Sequence, residues 1–143
     1  MGNNYPIFDT IEIRREYSNK IHSIFEKENF DWDICPAASD FNIFVKPNIY
    51  MKNPPLNTEY CPFKDVAKIG VSIKEGTAYL GIIAYPTMSD SKQEKILKTK
   101  GYVREKIKEQ PNLYLLTKPL NSLKFLVKEL KNIESVLLKK RLK

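Results

Sequence analysis

Residues 68–85 read KIGVSIKEGTAYLGIIAY, and their pattern points to a β-hairpin. From Lys68 to Lys74, apolar Ile69, Val71 and Ile73 alternate with Lys68, Gly70, Ser72 and Lys74. That is the period of a strand with one buried face. Glu75-Gly76 is a turn signal, and Ala78 to Tyr85 resumes as a second strand, so the two are expected to form an antiparallel hairpin. With Glu75 and Gly76 as a two-residue turn, Val71 faces Leu80 and Ile69 faces Ile82 on the core side. On the other side Gly70 faces Gly81 and Ser72 faces Tyr79. This register leaves a patch of bare backbone flanked by Lys68 and Tyr79, where a ligand or another chain has room to approach. The plainer alternative is an element of the same chain resting on the glycines. A bulged turn would shift the register by one and remove the patch.

Upstream, a helix is expected from Thr10 to Glu28. Asp9 and Glu12 have capping-box spacing, and Ile13, Tyr17, Ile21, Ile24 and Phe25 make one apolar face. His22 falls off that face, one turn before Glu26, as a solvated histidine. In Phe30–Ile34 the alternation puts Phe30, Trp32 and Ile34 on one side and Asp31 and Asp33 on the other, and Phe41–Lys46 reads as a further strand. Residues 47–65 carry Pro47, Pro54, Pro55 and Pro62, which a central strand does not tolerate. Tyr50, Met51, Tyr60 and Phe63 give this long loop apolar area, either to dock it or to bind a partner.

Downstream, Ser91 and Glu94 form a second capping-box pattern. A helix is expected from Lys92 to about Glu109, with Ile96, Val103 and Ile107 inward, Gly101 as a point where it divides, and Pro111 as its stop. Lys95, Lys98, Tyr102 and Lys106 then line up as one column on its flank. Leu113–Leu116 reads as a buried strand. Asn121 is placed to cap a last helix running toward Leu142, with Leu123, Leu126, Val127, Leu130, Ile133 and Leu137 as its stripe. The expected order is α-β-β-β-β-α-β-α. This is an α+β single domain spanning 1–143, with a mostly antiparallel sheet of four to five strands and three main helices.

The chain has 143 residues, enough for one domain with a real core, and its 42% hydrophobic and 29% charged composition is not that of a disordered tail. No apolar run approaches the ~18 residues of a membrane span. Met1 to Pro6 is polar, unlike a signal peptide, and Pro6 stands where a myristoylation motif at Gly2 wants Ser or Thr. Cys35, Cys61 and His22 are too few and too scattered for a zinc site, and two reduced cysteines in a cytoplasmic protein are expected. No GxxxxGK[ST] loop, GxGxxG or GxSxG motif is present. Asp90-Ser91-Lys92 is a tripeptide of the kind restriction-type nucleases carry, but it lies at a helix start rather than in a strand. No catalytic residue, metal or cofactor is assigned, and binding is favoured over catalysis.

Charge separates the two parts of the chain. Residues 1–91 hold 9 basic and 12 acidic side chains, and residues 92–143 hold 15 basic and 5 acidic. Lysine outnumbers arginine 20 to 4, which favours contact with a phosphate backbone over base readout, though an AT-rich coding sequence also enriches lysine. The leading expectation is therefore a small basic protein that binds nucleic acid or a nucleoprotein complex. Its lysine-rich surface would comprise Lys95, Lys98, Lys106, Lys139, Lys140 and Arg141, with Tyr102 stacking on an unpaired base and Lys68 and Tyr79 as a secondary patch. The alternative is a protein-interaction module or inhibitor docking on an acidic partner, of a kind that phage and mobile elements encode. A third expectation, a metal-dependent enzyme, requires Asp31, Asp33 and Asp40 to converge in one pocket.

Overall fold

In the computed structural model of the chain, residues 11–34, 43–47, 63, 65–74, 76–107 and 110–141 are described. The hairpin forms from Val66–Lys74 and Thr77–Ala84, here β3 and β4, in the register read from the sequence. Lys74 pairs with Thr77, Val71 with Leu80, Gly70 with Gly81 and Ile69 with Ile82. Gly76 makes the turn possible at φ +81°, a region that costs side chains bearing a Cβ. The register slips once, at Ala67 between Val66 and Lys68, as a bulge does.

The remaining strands are β1 (Trp32–Ile34), β2 (Ile43–Pro47), β5 (Val103–Lys106) and β6 (Tyr114–Leu120). All pairings are antiparallel, in the order β1-β2-β3-β4-β6-β5. Because β6 sits between β4 and β5 and opposes both, β4 and β5 run parallel. Parallel strands need a long crossover, and helix α2 (Lys92–Thr99) supplies it.

Helices α1 (Ile11–Lys27), α2 and α3 (Leu126–Arg141) all deliver their apolar stripes to one face of the sheet. Ile21 and Phe25 of α1, Leu97 of α2, and Leu126, Leu130 and Ile133 of α3 meet Ile43, Ile69, Leu80, Ile82 and Leu116 there, all buried. Each such side chain contributes about 1.5–3 kcal/mol on leaving water. The opposite face holds a smaller cluster of Phe44, Ile83, Ile107 and Leu115. Gly70 and Gly81 lie beside it and are themselves buried. The register of the bare-backbone patch is therefore present, but the patch is not an open platform.

The α+β architecture, the antiparallel sheet and the three main helices match the reading of the sequence, with six strands in place of four to five. The extra strand is β5, expected as the second half of a long helix. The helix stops at Thr99, and Gly101 turns the chain at φ +103°. Ile96 and Val103, expected inward, are exposed, whereas Ile107 is buried on the second face. Ser122, not Asn121, caps the last helical segment: its hydroxyl accepts the Lys124 N–H at the start of a 3-10 turn, Leu123–Phe125, that leads into α3. Asp9, Cys35, Asp40, Tyr50, Met51, Tyr60, Cys61 and most of residues 47–65 lie outside the described residues. Within that stretch Pro47 ends β2 and Phe63 is buried in the core.

Candidate functional site

The capping box at the start of α2 is the centre of a polar network that joins the helix to the sheet. The Ser91 hydroxyl accepts the Glu94 N–H at 3.0 Å, and Glu94 Oε1 accepts the Asp90 N–H at 2.8 Å. Glu94 is 1% exposed. Its Oε2 accepts the Tyr114 hydroxyl at 2.8 Å and Arg104 Nη1 at 3.4 Å. Arg104 also donates to Ser89 Oγ at 2.8 Å and lies 3.9 Å above the Tyr114 ring. This brace ties the crossover helix to strands β5 and β6.

Burial raises the Glu94 carboxyl. The Asp90 N–H, the Tyr114 hydroxyl and the charges of Lys98 and Arg104 more than offset it, so the group lies below the usual carboxylate range. Burial, and then Glu94 itself, push the Tyr114 hydroxyl up. An ionised acid with both oxygens occupied is a poor proton acceptor, and a phenol held neutral is a poor nucleophile. The arrangement suits a structural brace.

Tyr102 is buried, and its hydroxyl donates to Glu129 Oε1 at 3.3 Å. Lys118 Nζ donates to Glu129 Oε2 at 2.7 Å and stands 5.5 Å from the Tyr102 ring centre. Burial, with the Glu129 charge and hydrogen bond, raises the Tyr102 hydroxyl. The ring is therefore not available to stack on a base.

The lysine column expected from the sequence is divided. Lys95 and Lys98 are exposed on α2, Lys106 is exposed on the edge strand β5, and Tyr102 is inside. Lys98 Nζ also lies 4.0 Å from Glu94 Oε1. Lys68 and Tyr79 are half-buried on the second face of the sheet, away from the helices, with Lys68 Nζ 4.9 Å over the Phe44 ring. Lys139, Lys140 and Arg141 end α3, and their side chains lie outside the described residues.

A different arrangement of lysines is present. α2 and α3 pack side by side. Lys92, Lys95 and Lys98 on α2, and Lys124, Lys128 and Lys131 on the 3-10 turn and α3, are all exposed. The acids of the same segments are turned inward: Glu94 into its brace, Glu129 to Lys118 and Tyr102, and Glu134 partly buried near Trp32 and Asp31. Phe125, between Lys124 and Lys128, is 39% exposed. Sequence reasoning passed over it, yet it was detectable as an apolar residue outside the Leu123–Leu126–Leu130 stripe.

The acidic strand does not build a metal centre among the described residues. Asp31 and Asp33 are exposed; Asp33 lines a hollow of 350 Å³ with His22, Glu26 and Asn29, while Asp31 acts on Glu134. No group of three or more metal-ligating His, Cys, Asp or Glu side chains occurs among the described residues. A groove of 540 Å³ runs between Tyr17, Lys20 and Ile24 of α1 and Ser122 and Leu123. No described helix is long and apolar enough to cross a membrane. No protein-family model matches the chain, and no curated protein matches it.

Proposed function

We propose that the protein binds nucleic acid, free or within a nucleoprotein complex, through the outer faces of α2 and α3 and without catalysis. One observation carries this reading: Glu94 of α2 and Glu129 of α3 are spent internally, which leaves Lys92, Lys95, Lys98, Lys124, Lys128 and Lys131 outside. Lysines on helices that are locked to the core form a fixed array rather than a loose arm. Such an array neutralises phosphates and releases their counterions, which gives affinity that falls steeply with salt. Lys139, Lys140 and Arg141 extend the basic sequence at the end of α3.

The test is fluorescence anisotropy with labelled DNA and RNA at several salt concentrations. Lys95→Glu combined with Lys131→Glu should weaken binding across all sequences, and each lysine lost should lower the salt slope by about 1. Absence of binding at low salt, or affinity that ignores salt, would sink the proposal. Capture of an acidic protein with no response to nucleic acid would favour the interaction-module alternative.

A further inference from the structure

The sequence assigned base stacking to Tyr102, which is buried. The aromatic ring that stands among the exposed lysines is Phe125. Its outward position is imposed by its neighbours. Leu126 is fully buried, Leu123 packs against the core, and Ser122 Oγ caps the turn by accepting the Lys124 N–H at 3.2 Å. The three residues between that cap and α3 are therefore held in place, and of the two that face water, Lys124 and Phe125, Phe125 is the apolar one. Lys124 Nζ lies 5.6 Å from the ring centre, and Lys128 is one turn further along the same side of the helix.

We infer that Phe125 is a stacking platform for an unpaired base and that the lysine face therefore selects single-stranded over double-stranded nucleic acid. This rests on the nucleic-acid reading above and specifies its substrate. In a duplex the bases lie inside the stack, where a ring fixed on a helix surface cannot reach them. In a single strand every base offers a face, and neighbouring ammonium groups hold the phosphates on either side of it. The ring is bordered by cations, so its complement is a flat apolar group attached to an anionic chain. The interaction reads the aromatic face rather than hydrogen-bonding edges, so sequence preference should be weak.

The experiment compares a labelled oligothymidylate with its duplex against oligoadenylate, using wild type, Phe125→Ala, Phe125→Trp and Lys128→Glu. Wild type should bind the single strand more tightly. Phe125→Ala should lose about tenfold on the single strand and little on the duplex. The new indole of Phe125→Trp should be quenched on binding, against the constant signal of the chain's one native tryptophan, Trp32, which is 3% exposed. Phe125 lies on the surface, so folding should survive, and circular dichroism checks it. If Phe125→Ala keeps the single-strand preference while Lys128→Glu weakens both forms, stacking is overturned and the electrostatic reading stands. If neither form binds wild type at low salt, both are overturned. Competition by polyglutamate as strong as by oligothymidylate would also overturn the proposal, because polyglutamate has charge but no bases.

Discussion

Replacing Glu94 with alanine tests whether one buried carboxylate holds the crossover to the sheet. The substitution removes the acceptor of the hydroxyl of Tyr114, a residue 5% exposed, and of the Asp90 N–H, and it removes a negative charge from the first turn of α2. A buried hydroxyl left without a partner costs roughly 1–3 kcal/mol, the half-buried N–H about 1, and the helix-end charge about 0.5. Their sum is about 2.5–4.5 kcal/mol, which corresponds to about 10 °C in Tm for a domain of this size. Urea titration and thermal melting measure it. The decisive comparison is a double-mutant cycle with Tyr114→Phe. In wild type that change should cost about 1 kcal/mol, because it breaks the hydrogen bond. In the Glu94→Ala background it should cost nothing or restore about 1 kcal/mol, because it removes an orphaned hydroxyl. The pH profile supplies a second check. The folded carboxyl lies below its ordinary range, so its contribution is complete above that range and is lost as pH falls through it toward the lowered folded value. Glu94→Gln should flatten this acid limb. A loss under about 0.5 kcal/mol for Glu94→Ala, or an equal cost of Tyr114→Phe in both backgrounds, would show that Glu94 does not hold the crossover to the sheet.

Three further outcomes are expected. Phe44→Ala should destabilise by about 3–5 kcal/mol in urea unfolding, because Phe44 is buried with Ile83, Ile107 and Leu115, whereas Val103→Ala on the same face, 58% exposed, should stay within about 0.5 kcal/mol; similar small losses for both would contradict a second packed face. Gly76→Ala should cost about 1 kcal/mol by the same assay through φ +81° alone, since nothing lies within 4 Å of the added methyl. Glu134→Gln should raise Tm at neutral pH: burial raises this carboxyl most, Trp32 pulls it part of the way back, and the Asp31 charge adds a smaller rise, so its ionisation opposes folding as pH climbs above the ordinary carboxylate range. The advantage should vanish as pH falls below the ordinary carboxylate range, and an advantage independent of pH would point to packing instead.

The parts of the fold that were legible in the sequence are those with a buried face. β3 alternates because Ile69 and Val71 enter the core while Gly70 and Ser72 face the other way, and a two-residue turn leaves only one register. The stripe of α3 was legible for the same reason. β5 was not, because Val103, Arg104, Glu105 and Lys106 are all exposed and carry no alternation. Meanwhile Ile96, Val103 and Ile107 happen to fall at helical spacing across a helix, a turn and a strand. The surface residues followed that error: once the chain turns at Gly101, Tyr102 leaves the lysine column and enters the core. The inward acids were beyond sequence reasoning, since Glu94 and Glu129 find their partners in Tyr114 and Lys118, which pairing of distant strands brings close.

The charged edge strand also governs how copies of this protein meet. Among the described strands β5 pairs with β6 alone and ends the sheet order, so its outer edge is the side that a second sheet would meet. Two copies joined antiparallel through β5 must set side chains of the same sheet face opposite each other. One register places Arg104 against Arg104, and the next places Glu105 against Glu105 and Arg104 against Lys106. Like charges directly opposed destabilise a strand pair. The charged sequence that hid β5 from sequence reading thus also opposes edge-to-edge pairing of this sheet, and replacing Arg104, Glu105 and Lys106 with Thr should weaken that opposition.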